Sequence, residues 1–128
     1  AYSGDTLVAR PWTEALETLR DLCATITGAQ FNSVLLNLYR DGDDAMGWHA
    51  DNESELGSEP VIASLSLGYP RRFDLRHRAT KTTRQVVLPH GSLLVMSGPT
   101  QRHWLHQIPR SKKVRGPRIN LTFRQVIQ

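Results

Sequence analysis

The chain has 128 residues, the length of one domain, and its single cysteine excludes an internal disulfide or a multi-cysteine zinc site. Its longest apolar runs are too short to cross a bilayer, so we expect no membrane association, and one cysteine favours a reducing compartment inside the cell. The formal net charge of +4 suits a polyanionic partner, the alternative being an ordinary basic surface.

The first predicted element is an amphipathic helix over about residues 11–26. Apolar residues recur there at steps of three and four, at Trp12, Leu16, Leu19, Cys23 and Ile26. Pro11 suits the first turn of a helix, and Gly28 suits its end. Because only strand-like segments follow, we expect this helix to pack on the outside of a sheet.

From Ser33 onward the apolar period changes to two, which is typical of strands. The first strand covers 33–39, with Leu35, Asn37 and Tyr39 on one face, and a turn follows at 41–44. Further strands are predicted at Val61–Leu67, Phe73–Arg76, Gln85–Leu88, Ser92–Met96, Trp104–Ile108 and Arg118–Val126. Short strands joined by glycine- and proline-containing turns indicate a sandwich or barrel, so the predicted class is mainly β with one or two helices.

The last strand is the most informative element because its two faces differ in chemistry. Its polar face carries Arg118, Asn120, Thr122 and Arg124, and its apolar face carries Ile119, Leu121 and Phe123. Two arginines without a carboxylate among them favour an anionic ligand, since guanidinium groups pair bidentately with carboxylates. The alternative is an exposed strand in a basic protein.

Asn37 and Tyr39 form a second polar pair on the inward face of the first strand. A buried amide and a buried phenol both need hydrogen-bond partners, and a ligand carboxylate would supply one. A satisfied structural pair in the core is an equal alternative.

His49 and Asp51 lie two residues apart, so in an extended segment the imidazole and the carboxylate point the same way. With one distant histidine they would form a facial triad, which leaves three adjacent iron positions open. Two positions can take a 2-oxoacid and the third oxygen. The alternative is a hydrogen bond between the two side chains, because this short pattern is common by chance.

The candidates for the distal ligand are His77, His90, His103 and His106. His90 has the features of a turn residue, and His77 lies among arginines that disfavour a bound cation. The sequence does not separate His103 from His106 well, since both lie close to the arginine-bearing strand. His106 is slightly favoured because its two apolar neighbours could face the core.

Basic residues also cluster in two loop-like stretches, around residues 71–84 and 110–115. The candidates for contacts with nucleic-acid phosphates are Arg76, Arg78, Lys81, Arg110, Lys112 and Lys113. The alternative is a solvated face without a partner.

Together these residues resemble the AlkB family of Fe(II)- and 2-oxoglutarate-dependent nucleic-acid demethylases, over essentially the whole chain. The resemblance rests on His49-x-Asp51, on His106 and on the closing Arg118-x-Asn120-x-Thr122-x-Arg124 pattern. The stretches 37–42 and 62–68 look like two of the family's strands. Residues 31–42 and those from His90 onward are most similar to the branch that repairs DNA in duplexes.

The resemblance implies a double-stranded β-helix, a jelly-roll of two sheets, in one domain spanning residues 1–128. It also implies that part of the N-terminal nucleotide-recognition lid is missing, because the family usually has more chain before Tyr2. The implied metal ligands are His49, Asp51 and His106. The resemblance thus favours His106 over His103.

The resemblance also implies roles for the remaining site residues. The implied 2-oxoglutarate contacts are Asn37, Tyr39, Arg118, Asn120, Thr122 and Arg124. Arg124 would clamp the far carboxylate, and Arg118 would lie near the carboxylate at the metal end. Tyr2 would stack on the damaged base, and Asn52 or Glu53 would contact the edge of that base.

The implied activity is oxidative demethylation of DNA bases such as 1-methyladenine and 3-methylcytosine, with release of formaldehyde. The implied cofactors are Fe(II), 2-oxoglutarate, which becomes succinate and CO2, and O2, with ascorbate as a reductant in vitro. We expect a monomeric intracellular enzyme, cytoplasmic in a bacterium and nuclear in a eukaryote. The alternatives are the same chemistry on RNA, protein or lipid, and a non-catalytic nucleic-acid-binding β-domain.

Overall fold

The structure is a computed structural model that describes residues 12–51 and 54–127, with only the backbone of Ser54. Helix α1 (Glu14–Thr27) precedes strands β1 (Ser33–Tyr39) and β2 (Met46–His49). A short 3₁₀ helix (Ser54–Leu56) leads to β3 (Ile62–Gly68), β4 (Arg71–His77), β5 (Thr83–Leu88) and β6 (Leu93–Met96). Helix α2 (Thr100–His103) runs directly into β7 (Trp104–Ile108), and β8 (Arg118–Arg124) comes last.

Helix α1 begins later than its apolar period predicts because Thr13 caps it. The Thr13 side chain accepts a hydrogen bond from the backbone of Leu16 at 3.2 Å, which satisfies one of the free N–H groups of the first turn. The helix ends where expected, since Gly28 adopts a left-handed conformation and its N–H donates to Ala24. No helix in the described ranges is long and apolar enough to cross a membrane.

Two four-stranded antiparallel sheets make up the rest of the fold, which confirms the mainly β prediction. The strand orders are β1-β8-β3-β6 and β2-β7-β4-β5. Strand β8 is therefore central in the first sheet, and β7 is central in the second. Strand β2 was not predicted, because it is only four residues long and its ladder with β7 shifts register between Met46 and His49.

The apolar side chains form two cores. One lies between the sheets and contains Tyr39, Leu56, Ile62, Phe73, Leu88, Met96 and Ile108. The other lies between α1 and the outer face of the first sheet, where Trp12 stacks on the wholly buried Phe123 at 6.5 Å between ring centroids. The helix therefore packs outside a sheet, as its position before the strands predicts.

Candidate active site between the two sheets

A pocket between the sheets encloses about 380 Å³ of empty space, its open mouth included. The first sheet contributes Asn37, Tyr39, Ser64, Arg118, Asn120 and Thr122, and the second contributes Met46, His49, Phe73, His106 and Ile108. Met96 of β6 also belongs to the first sheet, and Asp51, which lies beyond the end of β2, completes the wall. The polar faces of β1 and β8 thus point into the protein, which excludes the alternative of an exposed strand.

His49, Asp51 and His106 meet on one side of this pocket. Their candidate ligand atoms all lie within 4.8 Å of one another, and Nε2 of His106 is 3.9 Å from a carboxylate oxygen of Asp51. His49 lies opposite His106 in the β2–β7 ladder, with 4.2 Å between the ring centroids. Two imidazoles and one carboxylate so close together are a donor set that fits Fe(II) and leaves several of its positions open.

Local contacts prepare both imidazoles for a metal. Nδ1 of His49 is 2.9 Å from the Gly47 carbonyl oxygen, which can only accept, so in the neutral ring Nδ1 carries the proton and Nε2 is the atom left to bind a metal. Burial, reinforced by the charge of His49 and opposed by Asp51, lowers the pKa of His106 to about 4. The His106 ring is therefore neutral at physiological pH, as a metal ligand must be.

The other described histidines have structural partners outside the pocket. Nδ1 of His77 accepts from the backbone N–H groups of Ala79 and Thr80, both at 3.2 Å. His103 stacks on His77 at 6.0 Å between centroids, and Nδ1 of His90 accepts from the Gly68 N–H at 2.8 Å. Geometry therefore brings His106, and not His103, to the pair of ligands.

Arg118 and Tyr39 line another part of the same pocket. The Arg118 guanidinium is buried and donates from Nη2 to the Ser66 hydroxyl at 2.9 Å, but its Nε and Nη1 have no hydrogen-bond partner among the described residues. Its Cζ lies 5.1 Å from the Tyr39 ring centroid. Burial lowers the pKa of Arg118 and raises the pKa of Tyr39, so a cation lies beside a neutral phenol. Buried donors without partners are costly, and a carboxylate would satisfy them.

The strand register places the two arginines of β8 far apart. They are six residues from each other, about 20 Å along a strand, with Arg118 opposite Tyr39 and Arg124 opposite Ser33. The backbone N–H of Asp51 donates to Gln101, and the Gln101 side chain in turn donates to Met96. Met96 pairs with Ile62, which lies at the Arg124 end of the first sheet. These contacts place Asp51 at the Arg124 end. Of these two arginines, only Arg118 lines the pocket. The register therefore favours the reverse of the sequence-based assignment, with Arg118 away from the metal ligands and Arg124 at their end.

Asn120 and Thr122 form an inward ladder of hydrogen bonds along the pocket floor. The Asn120 amide donates to the Ser64 hydroxyl at 2.7 Å and to the Leu65 carbonyl at 3.2 Å. The Thr122 hydroxyl donates to the Asn120 side-chain oxygen at 2.8 Å. Both residues are buried and their polar groups are used within the protein, so they shape the pocket wall between its two ends.

The predicted phosphate contacts lie on the outside of the fold. Arg76 lies over the Trp48 ring, with 4.2 Å from Cζ to the centroid, and Lys81 adopts a left-handed conformation in the β4–β5 connection near Arg78. Arg110 donates to the Asp43 carbonyl at 3.0 Å, while Lys112 and Lys113 are exposed. Tyr2, Asn52 and Glu53, the predicted base contacts, lie outside the described residues.

Two buried polar residues behind the pocket wall, each in contact with a residue that lines it, escaped the sequence reasoning. Arg71 is 2% exposed and donates to the backbone carbonyls of Asp41, Asp44 and Pro109. It stands in a run of arginines, and no local pattern distinguishes an inward arginine from an outward one there. Gln101 is 1% exposed on helix α2, which had no sequence signal because it has only four residues.

The sequence of this chain is similar to those of several known proteins. Residues 1–124 match the family model described as the 2OG-Fe(II) oxygenase superfamily. The human protein named DNA oxidative demethylase ALKBH2 is 46% identical over 134 residues, which cover 98% of this chain and 51% of that protein. The human alpha-ketoglutarate-dependent dioxygenase alkB homolog 3 is 43% identical over 98% of this chain and 47% of its own. The sequence-based resemblance to the AlkB family is thereby confirmed.

The chain spans about half the length of the curated relatives it matches. Among solved structures, one described as "The structure of OsALKBH1" superimposes with a TM-score of 0.60 at 22% identity, over 88% of this chain and 61% of that one. At this identity the likeness concerns the fold, and it confirms the predicted jelly-roll.

Proposed function

Because the chain belongs to the 2OG-Fe(II) oxygenase superfamily, we propose that it oxidatively removes methyl groups from N-alkylated bases in DNA. The observation that carries this proposal is one pocket with a facial triad at one side and a buried, incompletely bonded arginine at another. The DNA substrate is supported by the relatives named DNA oxidative demethylase.

His49, Asp51 and His106 would hold Fe(II), and the orphaned donors of Arg118 would receive 2-oxoglutarate. Iron(II) supplies the oxygen chemistry when bound: one atom of O2 enters succinate as CO2 leaves, and the other converts an N-methyl into an N-hydroxymethyl group that departs as formaldehyde. The side chains of the protein would bind 2-oxoglutarate and the methylated base and orient both of them toward the metal.

Arg118 and Tyr39 would bind the far carboxylate of 2-oxoglutarate. The two donors of Arg118 that lack partners provide a charge-assisted contact, and the raised pKa of Tyr39 keeps its phenol protonated as a further donor. This end of the pocket is walled by the apolar Met46 and Ile108, which strengthen the interaction by excluding water. The co-substrate would then reach toward His49 and His106 along the Asn120 ladder.

A methylated base must leave its stack to reach the pocket, because the triad lies between two sheets. The exposed cations at Lys81, Lys112 and Lys113 would contact the phosphates on either side. Such contacts make affinity fall steeply with salt concentration. Arg110 would contribute less, since its guanidinium is already used by the Asp43 carbonyl.

The test uses oligonucleotides that contain 1-methyladenine or 3-methylcytosine, with iron(II), ascorbate and 2-oxoglutarate. We expect formaldehyde and succinate in equal amounts, and neither from the His106→Ala variant. Absence of both products would contradict the proposal. Succinate without demethylated DNA would retain the oxygenase and move the substrate to RNA or protein, which methylated RNA and histone peptides in parallel reactions would decide.

We further propose that the protein acts as a monomer in the compartment that holds its DNA, the bacterial cytoplasm or the eukaryotic nucleus. A nucleic-acid substrate and a single cysteine support this placement. Light scattering coupled to size-exclusion chromatography, with and without an oligonucleotide, would give the mass that decides the oligomeric state.

A further inference from the structure

Gln101 is a buried polar residue for which the proposed chemistry has no use. It lies in the four-residue helix α2, five residues before His106, and is among the largest side chains that are fully buried. Burying a glutamine is unfavourable unless both ends of its amide are hydrogen bonded. The two hydrogen-bond partners of the Gln101 amide therefore indicate its structural role.

Both ends of the Gln101 amide are engaged at the metal side of the pocket. Its oxygen accepts from the backbone N–H of Asp51 at 2.8 Å, and its Nε2 donates to Sδ of Met96 at 3.4 Å. Only the amide oxygen can accept from an N–H group, so the orientation of the side chain is determined. One end of Gln101 thus holds the residue that carries the carboxylate of the triad.

Gln101 contacts the backbone of Asp51 at a point that the sheet does not reach. Strand β2 ends at His49 after a register shift, and Asp51 lies beyond the ladder. Helix α2 runs directly into β7, which carries His106. Gln101 therefore ties the segment that carries one metal ligand to the segment that leads to another.

We propose that Gln101 is a positioning residue that sets Asp51 relative to His106 and so raises the metal affinity of the triad. The proposal rests on the proposed function only in that the triad binds a divalent metal. Partners of metal ligands commonly change metal affinity about 10–100-fold when they are replaced. Leucine at this position has a similar volume but cannot accept from the Asp51 N–H.

The experiment titrates metal-free protein with Co(II) and compares three variants with the parent. Gln101→Leu is expected to raise the dissociation constant at least about 10-fold and to alter the visible spectrum of the Co(II)-saturated protein, which reports ligand geometry. Gln101→Glu keeps an acceptor oxygen and is expected to bind Co(II) more tightly than Gln101→Leu. Gln107→Leu is the matched control, because Gln107 bonds Asp74 elsewhere on the same segment.

The outcomes separate this inference from the proposed function. If the parent binds Co(II) and Gln101→Leu binds it equally well with an unchanged spectrum, the positioning role is wrong. If Gln107→Leu weakens binding as much as Gln101→Leu, the effect is general destabilisation and the role is again wrong. If the parent itself binds no Co(II), the proposed function fails first. Should Gln101→Leu not fold, Gln101→Met, which also lacks the amide oxygen, takes its place: weaker Co(II) binding than the parent is expected, and binding equal to the parent contradicts the role.

Discussion

The guanidinium of Arg118 lies over the ring of Tyr39, with 5.1 Å between Cζ and the ring centroid. The two residues are also direct partners in the β1–β8 ladder, so strand pairing and side-chain packing hold the same contact. Both are buried, and two nitrogen atoms of Arg118 still have no partner among the described residues. A buried cationic site of this kind is a receptor for a carboxylate placed away from the metal ligands.

The first prediction concerns which arginine recognises the far carboxylate. The Arg118→Met variant should raise the KM for 2-oxoglutarate about 10–100-fold, the cost of one charge-assisted hydrogen bond. It should also lose the preference for 2-oxoglutarate over 2-oxobutyrate, which has no second carboxylate. The measurement is succinate or CO2 release at varied co-substrate.

Arg124→Met is the matched control, because it changes the other arginine of the same strand face. It should keep the preference for the longer co-substrate, since Arg124 lies at the metal-ligand end of β8. Loss of the preference in Arg124→Met but not in Arg118→Met would restore the assignment made from sequence.

The two arginines of β8 show where sequence reasoning reaches its limit. The period of two along β8 correctly predicted that Arg118 and Arg124 share a face with Asn120, because alternation is a local property of a strand. Which end of that face meets the metal ligands depends on pairing with β1 and β3, whose residues are 50 or more positions away. No local pattern carries that information.

The same distinction explains the other successes and misses. Strands 33–39 and 104–108 have the predicted bounds because each has a clear alternation between turns. Strand β2 is too short and irregular to produce one. The triad was found because its chemistry needs particular residue types, whereas Arg71 and Gln101 act through backbone groups that a sequence does not display.

The second prediction concerns the acid sensitivity of the metal-free protein. The pKa of His106 is lowered to about 4 in the folded state, mainly by burial, and is near 6.5 when the chain is unfolded. The unfolded state therefore binds more protons between these values, so the free energy of unfolding should fall as pH drops from about 6.5 to 4, by up to about 3 kcal/mol. Above pH 7 this contribution should be constant.

Urea unfolding of the metal-free protein at several pH values would measure this effect. His106→Gln removes the titrating group and should give a flatter profile over the same range. His103→Gln is the control, because it removes an exposed histidine that lies outside the pocket. Equal slopes in the parent and His106→Gln would show that another group controls acid sensitivity.

The third prediction concerns the contact between the 41–44 turn and the basic loop at 110–115. Gly42 donates to the Val114 carbonyl and accepts from the Ser111 N–H, both at 3.0 Å, and a Cβ on Gly42 would overlap the Ser111 carbonyl oxygen. Gly42→Ala should therefore displace the loop, lowering stability by about 1–3 kcal/mol and weakening DNA binding.

Fluorescence anisotropy with a labelled oligonucleotide and thermal unfolding would measure both consequences. Gly47→Ala is the control, because nothing lies within 4 Å of a Cβ at that position. Binding of Co(II) should persist in Gly42→Ala, since the triad lies at the other end of β2. Parental DNA affinity in a destabilised Gly42→Ala protein would mean that the loop position does not govern binding.

The last prediction concerns Arg71, a buried cation held by backbone oxygens instead of a carboxylate. It donates to Asp41 at 3.1 Å and to Asp44 and Pro109 at 2.9 Å, and its Cζ lies 5.4 Å from the centroid of the Tyr39 ring. The Arg71→Met substitution removes the free-energy cost of burying a charge, but it also leaves three backbone carbonyls without their charged hydrogen-bond donor. Since each such bond contributes about 1.5–3 kcal/mol, the loss should dominate, and Arg71→Met should lower the free energy of unfolding by about 2–4 kcal/mol. Arg71→Lys should not restore the lost stability, because one ammonium cannot span three separated carbonyls.

Arg84→Met is the control, since Arg84 lies on the exposed strand of the same hairpin, and it should change stability by less than about 0.5 kcal/mol. Urea midpoints that coincide for Arg71→Met and Arg84→Met would show that the three carbonyl contacts contribute nothing net, and that burial of the charge cancels them.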